Sequence, residues 1–169
     1  MENFNFSILF VAAFIPLVVK LVWYNVKFLG NSWIKESGVN FEDLNKGNKL
    51  KILGLTYLFS LFIAAALLPI VVHPIGFFAM FQHLKEVNNH DINSELYLSL
   101  KKLYDTHGFH FRTFKHGMLH GILTGFLLAM PLLGINALLE RKSFKYLCLH
   151  AGFWILCLML MGGIISQWL

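Results

Sequence analysis

Four apolar stretches leave this chain almost no choice of architecture. Between Phe6 and Val26 the only charge is Lys20, and after Lys51 nothing charged appears until Lys85. His116 to Leu139 and Tyr146 to Leu169 carry no charge at all. A bilayer's hydrocarbon core is about 30 Å thick and takes about 20 helical residues to cross. Inside it every backbone polar group must find its partner within the protein, which helices do alone. The expectation is an all-α fold, a four-span transmembrane helix bundle forming a single domain over residues 1–169. Its spans are placed at about 6–26, 52–73, 116–139 and 146–168. Pro69 and Pro74 should end or kink the second, leaving Ile75 to Leu84 as a separate interfacial piece.

Composition decides between a membrane protein and a basic soluble one. Hydrophobic residues make up 57% of the 169 and charged residues 14%, against roughly 25% charged in soluble domains. The net charge of +5 does not point to nucleic acid, because the lysines gather beside the ends of apolar segments. There they meet anionic headgroups and set topology. The first and third loops carry eight Lys and Arg together, among them Lys27, Lys46 and Arg141; the second carries five. That bias places the first and third loops inside a bacterial cytoplasmic membrane, with the second loop and both termini outside. Only Glu2 precedes the first apolar run, so that run reads as a retained span and not a cleaved leader. Cys148 and Cys157 stand nine positions apart in one segment, too far for a disulfide, and read as packing residues.

The second loop holds the longest polar stretch, Val87 to Thr113. Asp91 is placed to cap a helix in which Leu96, Leu100, Leu103 and Tyr104 share a face opposite Glu95, Lys101 and Lys102. Such a helix either lies on the membrane surface or caps the bundle through the same face.

Chemistry-bearing residues concentrate at the mouth of the third span, which reads K-H-G-M-L-H-G-I-L-T-G over Lys115 to Gly125. The four-residue helical step puts His116, His120 and Thr124 on one ridge and Gly117, Gly121 and Gly125 on the next. The glycines form a packing face that lets another helix approach closely. His116 and His120 can share a divalent metal ion, with His110 and His73 as the further ligands from the same side. The alternative is that interfacial histidines hydrogen-bond carbonyls, headgroups and water. A haem would need His73 facing His116 or His120; His150 belongs to the opposite side. Lys20 is the one charge inside a span, either functional or snorkelling to the headgroups near Trp23 and Tyr24. Pro16 precedes Lys27 by the interval at which Pro131 precedes Lys142, a weak echo of a two-plus-two repeat. No nucleophile elbow, P-loop, dinucleotide fingerprint or His-Glu-x-x-His occurs.

The stretch V-W-Y-N-V-K-F-L-G-N-S-W-I-K-E-S-G from Val22 to Gly38 resembles the domain of unknown function 1761 family of small bacterial membrane proteins. Trp23, Tyr24, Phe28, Gly30, Trp33 and Gly38 carry the resemblance, and L-H-G-I-L-T-G in the third span is also similar. The resemblance implies a four-helix membrane protein and supplies no activity. Physically, Trp23, Tyr24, Phe28 and Trp33 make an aromatic belt where the helix leaves the bilayer. The expected function is that of a non-enzymatic accessory or interaction subunit, bound to the lipid bilayer and to other membrane subunits or itself, with no resident cofactor. The alternatives are a small cation or solute transporter, and a metal- or haem-binding redox protein.

Overall fold

The computed structural model describes residues 4–40 and 47–169; Glu2 and Lys46 lie outside them. All regular structure among these residues is helical. Three helices are long and apolar enough to cross a membrane, which marks the chain as membrane-embedded. They are α4 (Lys49–Val71), the continuous run Phe114–Leu139, and α10 (Phe144–Trp168). The run is made of α8 (Phe114–Thr124), a π-type segment (Gly125–Ala129) and α9 (Met130–Leu139). Proline explains the π segment. Pro131 has no N–H to give and its ring crowds the carbonyl four residues back, a conflict the wider turn relieves.

The first apolar stretch is built differently from its sequence expectation. It breaks into α1 (Ser7–Ala12) and α2 (Ile15–Trp23), shorter together than the three long spans. Pro16 sits in the first turn of α2 and cannot donate to Ala12, so the chain re-enters the helix at that point. Phe14 N–H turns to the Val11 carbonyl, and the Phe10 carbonyl accepts the Tyr57 hydroxyl of α4 at 3.1 Å. Even so, the stretch runs along α10 from its end back to Leu149. At one end Asn5 N–H donates to the Leu169 carbonyl at 2.5 Å; at the other Trp23 Nε1 donates to the Leu149 carbonyl at 3.1 Å.

Helix starts follow side-chain caps. Asn48, Thr113 and Ser143 accept from backbone N–H groups three residues on, opening α4, α8 and α10. In the second loop, α5 (Pro74–Phe77) and a 3₁₀ turn (Phe78–Phe81) follow the end of α4, then α6 (Lys85–Asn88) and α7 (Glu95–His107). Ser94, not Asp91, caps α7; the Asp91 carboxylate accepts instead from Asn93 N–H, which fixes the preceding turn. The inward face of α7 is only partly the one expected, since Tyr104 belongs to it together with Tyr97. Tyr97 and Tyr104 are buried against Phe78 and Phe77, whereas Leu96 and Leu103 stay about half exposed. The helix therefore packs its tyrosines on α5 and the 3₁₀ turn and offers Leu96 and Leu103 outward.

The core lies where α1, α4 and α10 meet, around Ala12, Ala64, Leu67, Val71, Met161 and Ile165. A second cluster, Val19, Phe153 and Cys157, sits under Trp23 and Tyr24. Both cysteines are free.

At the far end of the bundle α3 (Gly30–Ser37) docks onto the start of α10. Gly38 ends α3 at φ 74°, a left-handed conformation that suits glycine. The Ser143 hydroxyl donates to Glu36 Oε2 at 2.5 Å, Lys145 stands 3.7 Å from Oε1, and Lys142 Nζ donates to the Ser37 carbonyl. The Ser143 hydroxyl, then the charge of Lys145, hold the Glu36 carboxyl below its usual range. A depressed folded-state pKa means the docking contribution is complete above the ordinary carboxylate range and is lost as pH falls through the depressed value. Amide exchange across Trp33 to Ser37 should accelerate on acidification, and Glu36→Gln should exchange fast at neutral pH already. Equal exchange of both proteins at both pH values would contradict the docking role.

Candidate metal centre

The site begins with two helix ends on one face of the bundle. Val72 leaves the α4 conformation after Val71, which places His73 just past the end of that helix. From the other strand of the loop, Thr113 caps α8 by accepting from His116 N–H at 3.2 Å. A cap of this kind is worth about 1 kcal/mol. It also fixes the start of the helix, so His116 and His120 fall one turn apart with ring centroids 4.5 Å from each other.

His73 closes the group. Its Nε2 lies 3.0 Å from Nε2 of His116, and its ring is 5.0 Å from that of His120. One nitrogen from each of the three lies within 4.8 Å of the other two. A tetrahedral zinc with Zn–N of about 2.0–2.1 Å holds its ligand nitrogens about 3.3 Å apart. The His73–His116 pair, at 3.0 Å, is close to that spacing, and a His120 nitrogen lies within 4.8 Å of both. Without an ion, the close pair needs one ring as donor and the other as acceptor. The Phe111 ring covers His116 from 5.3 Å. His110, expected among the ligands, is not in this group; its ring stacks edge-on with His107 at 5.3 Å.

A cleft of about 430 Å³ opens beside His73, lined also by Pro69, Phe77, His107, Phe111 and Arg112. Of the three grouped histidines, His73 lines it.

The glycine ridge holds the two histidines of α8 in place. A Cβ on Gly117 would overlap the Gly162 carbonyl, and one on Gly121 would overlap the Leu158 carbonyl. Gly125 lies against Ile155. The ridge is thus spent on α10 of the same chain, and the Gln167 side chain accepts from Phe114 N–H at the same contact.

The remaining sequence candidates sit apart. Trp23 is bonded to α10 and stacks on Phe28; the Tyr24 hydroxyl stands 3.4 Å from His150 Nδ1, and Trp33 packs on Tyr24. These aromatics fasten the exit of α2 to α10 as well as lying at a helix end. Lys20 occupies the last turn of α2, where a cation complements the helix dipole. The contacts of Trp23 and Tyr24 with α10 had no periodic signal in the sequence, since they join positions more than a hundred residues apart.

A family model described as Protein of unknown function (DUF1761) matches residues 7–166. No curated protein and no solved structure matches the chain.

Proposed function

We propose that this chain, which belongs to the DUF1761 family, is an integral membrane protein that holds one divalent transition metal ion at a membrane face. The observation that carries this reading is the convergence of His73, His116 and His120 from two helices. Three neutral imidazoles suit zinc or a neighbouring divalent ion. The group contains no carboxylate to serve as a general base, which favours holding or handing on the ion over hydrolysis.

An accessory subunit would work through its outer loop, because the glycine ridge packs on α10 of the same chain. The convergence of three imidazoles favours the metal reading over that role and over a solute path.

Cobalt(II) tests the reading because its visible absorption reports coordination geometry. Chelator-washed protein titrated with cobalt should develop an intense four-coordinate visible band that zinc then removes. A weak spectrum like that of the hydrated ion would reject the three-histidine site.

Ser7–Trp23 supplies the fourth crossing in this reading. Asn5 and Leu169 meet at one face, so three crossings by the long helices require a fourth. The lysine balance then puts the triad outside a bacterial cytoplasmic membrane, with the Glu36 contact inside. A cysteine introduced at Asn93 should react with an impermeant thiol reagent in intact cells, and one at Ser37 should not. The reverse pattern would invert the orientation.

A further inference from the structure

The second loop carries two more histidines beside the triad. His107 is the last residue of α7, and the chain turns tightly behind it. Gly108 N–H donates to the Tyr104 carbonyl at 2.8 Å, and a Cβ on Gly108 would overlap that same carbonyl. The close approach is one that a glycine permits. The turn brings His110 back to His107: its N–H donates to the His107 carbonyl at 3.4 Å, and the two rings stand 5.3 Å apart, edge to face. The turn is also anchored. Tyr104 is buried against Phe77 and Phe78, and Phe109 packs on Tyr104 at 5.3 Å. Both imidazoles are exposed, so they meet water first.

The cleft of about 430 Å³ joins this pair to the triad, because His107 and His73 both line it. Phe111 lines it too and lies against the His116 ring, so an ion in the cleft reaches the triad through His73. A water's share of the liquid is about 30 Å³, and the cleft therefore has room for an ion with about six waters. Its ligand chemistry is imidazole from His107 and His73 with the thioether of Met80; no carboxylate lines it among the described residues. Magnesium and calcium take oxygen ligands, whereas imidazole and thioether suit zinc, copper and their neighbours. The cation of the lining, Arg112, is already engaged over the rings of Phe4 and Phe109. Its charge opposes any hold on a metal ion by field alone, which leaves ligation to draw the ion in.

We infer that His107 and His110 form a loading site, which takes a divalent transition metal ion from water and passes it along the cleft to His73. The loading site rests on the metal reading of the triad and adds the route by which the ion arrives. Two imidazoles leave most of the coordination shell to water, so the pair holds its ion loosely and gives it up by ligand exchange. At each exchange a nitrogen replaces a water or a water replaces a nitrogen, and the oxidation state of the ion does not change.

A residue on the route has a different signature from a ligand of the final site. Its loss slows arrival and departure by the same factor and leaves the affinity alone. The test uses the full chain in mild detergent, chelator-washed and mixed rapidly with cobalt(II), with the four-coordinate visible band followed in time. Release is followed by mixing the loaded protein with excess chelator. His107→Ala and His110→Ala should reach the wild-type final absorbance, with loading and release both several-fold slower. His83→Ala, an exposed loop histidine that does not line the cleft, should load at the wild-type rate. Both loading histidines are exposed, so neither substitution opens the core. Wild-type rates in both variants would overturn the loading site and leave the triad standing. A lowered final absorbance in either variant would also overturn it, since that residue would then belong to the final site. A wild type that develops no four-coordinate band at any time would reject the triad, and the loading site with it.

Discussion

Gly121→Leu is expected to be the most damaging single substitution in the bundle. Its side chain would occupy the space of the Leu158 carbonyl and the Met159 backbone, and backbone cannot turn aside as a flexible side chain can. Overpacking in a filled core costs about 1–3 kcal/mol. Here the obstacle is a helix backbone along the tightest contact in the molecule, and the loss should reach about 3 kcal/mol or more. Thermal unfolding in mild detergent should show a large drop in midpoint. Leu119→Ala, two residues away on a half-exposed face, should show little. The effect should extend to the metal centre, because the same ridge positions His116 and His120. An unchanged midpoint for Gly121→Leu would mean that α8 and α10 do not pack through their glycines.

Much of this arrangement can be read from residues alone, for identifiable reasons. The long helices begin and end within a few residues of the apolar runs because the energetics of burial in lipid overwhelm local preference. The histidine and glycine ridges are legible because they depend only on the four-residue step of one helix. Which helix the glycines face is not a local property: the four-residue step marks a packing ridge, and the structure supplies α10 as the helix against it. His73 was recognisable as a member of the histidine group by its depth on the same side. His110 was indistinguishable from it on that criterion, since loop geometry decides which ring reaches the group. The cap of α7 shows the same limit. Asp91 and Ser94 both have the chemistry of a cap, and the turn set by the Asp91 carboxylate puts Ser94 at the helix start. The break at Ala13 and Phe14 was legible in principle from Pro16. A single proline in an apolar run either kinks a helix or interrupts it, and Tyr57, which meets the Phe10 carbonyl, lies in another segment.

The two-helix origin of the triad also bears on how its ligands would divide the work. His116 and His120 are held by one rigid helix with a capped start, whereas His73 sits at a helix end beside an open cleft. Removal of the pair on α8 leaves one imidazole, which cannot close a coordination shell.

Zinc stoichiometry decides whether the three histidines bind metal. Chelator-washed wild-type protein, resupplied with zinc and freed of excess, should retain close to one ion per chain by elemental analysis. His116→Ala with His120→Ala should retain none, and His110→Ala should keep the wild-type amount, since its ring lies outside the group. A wild type that holds no zinc after this treatment, or a double variant that holds as much as the wild type, would contradict the assignment.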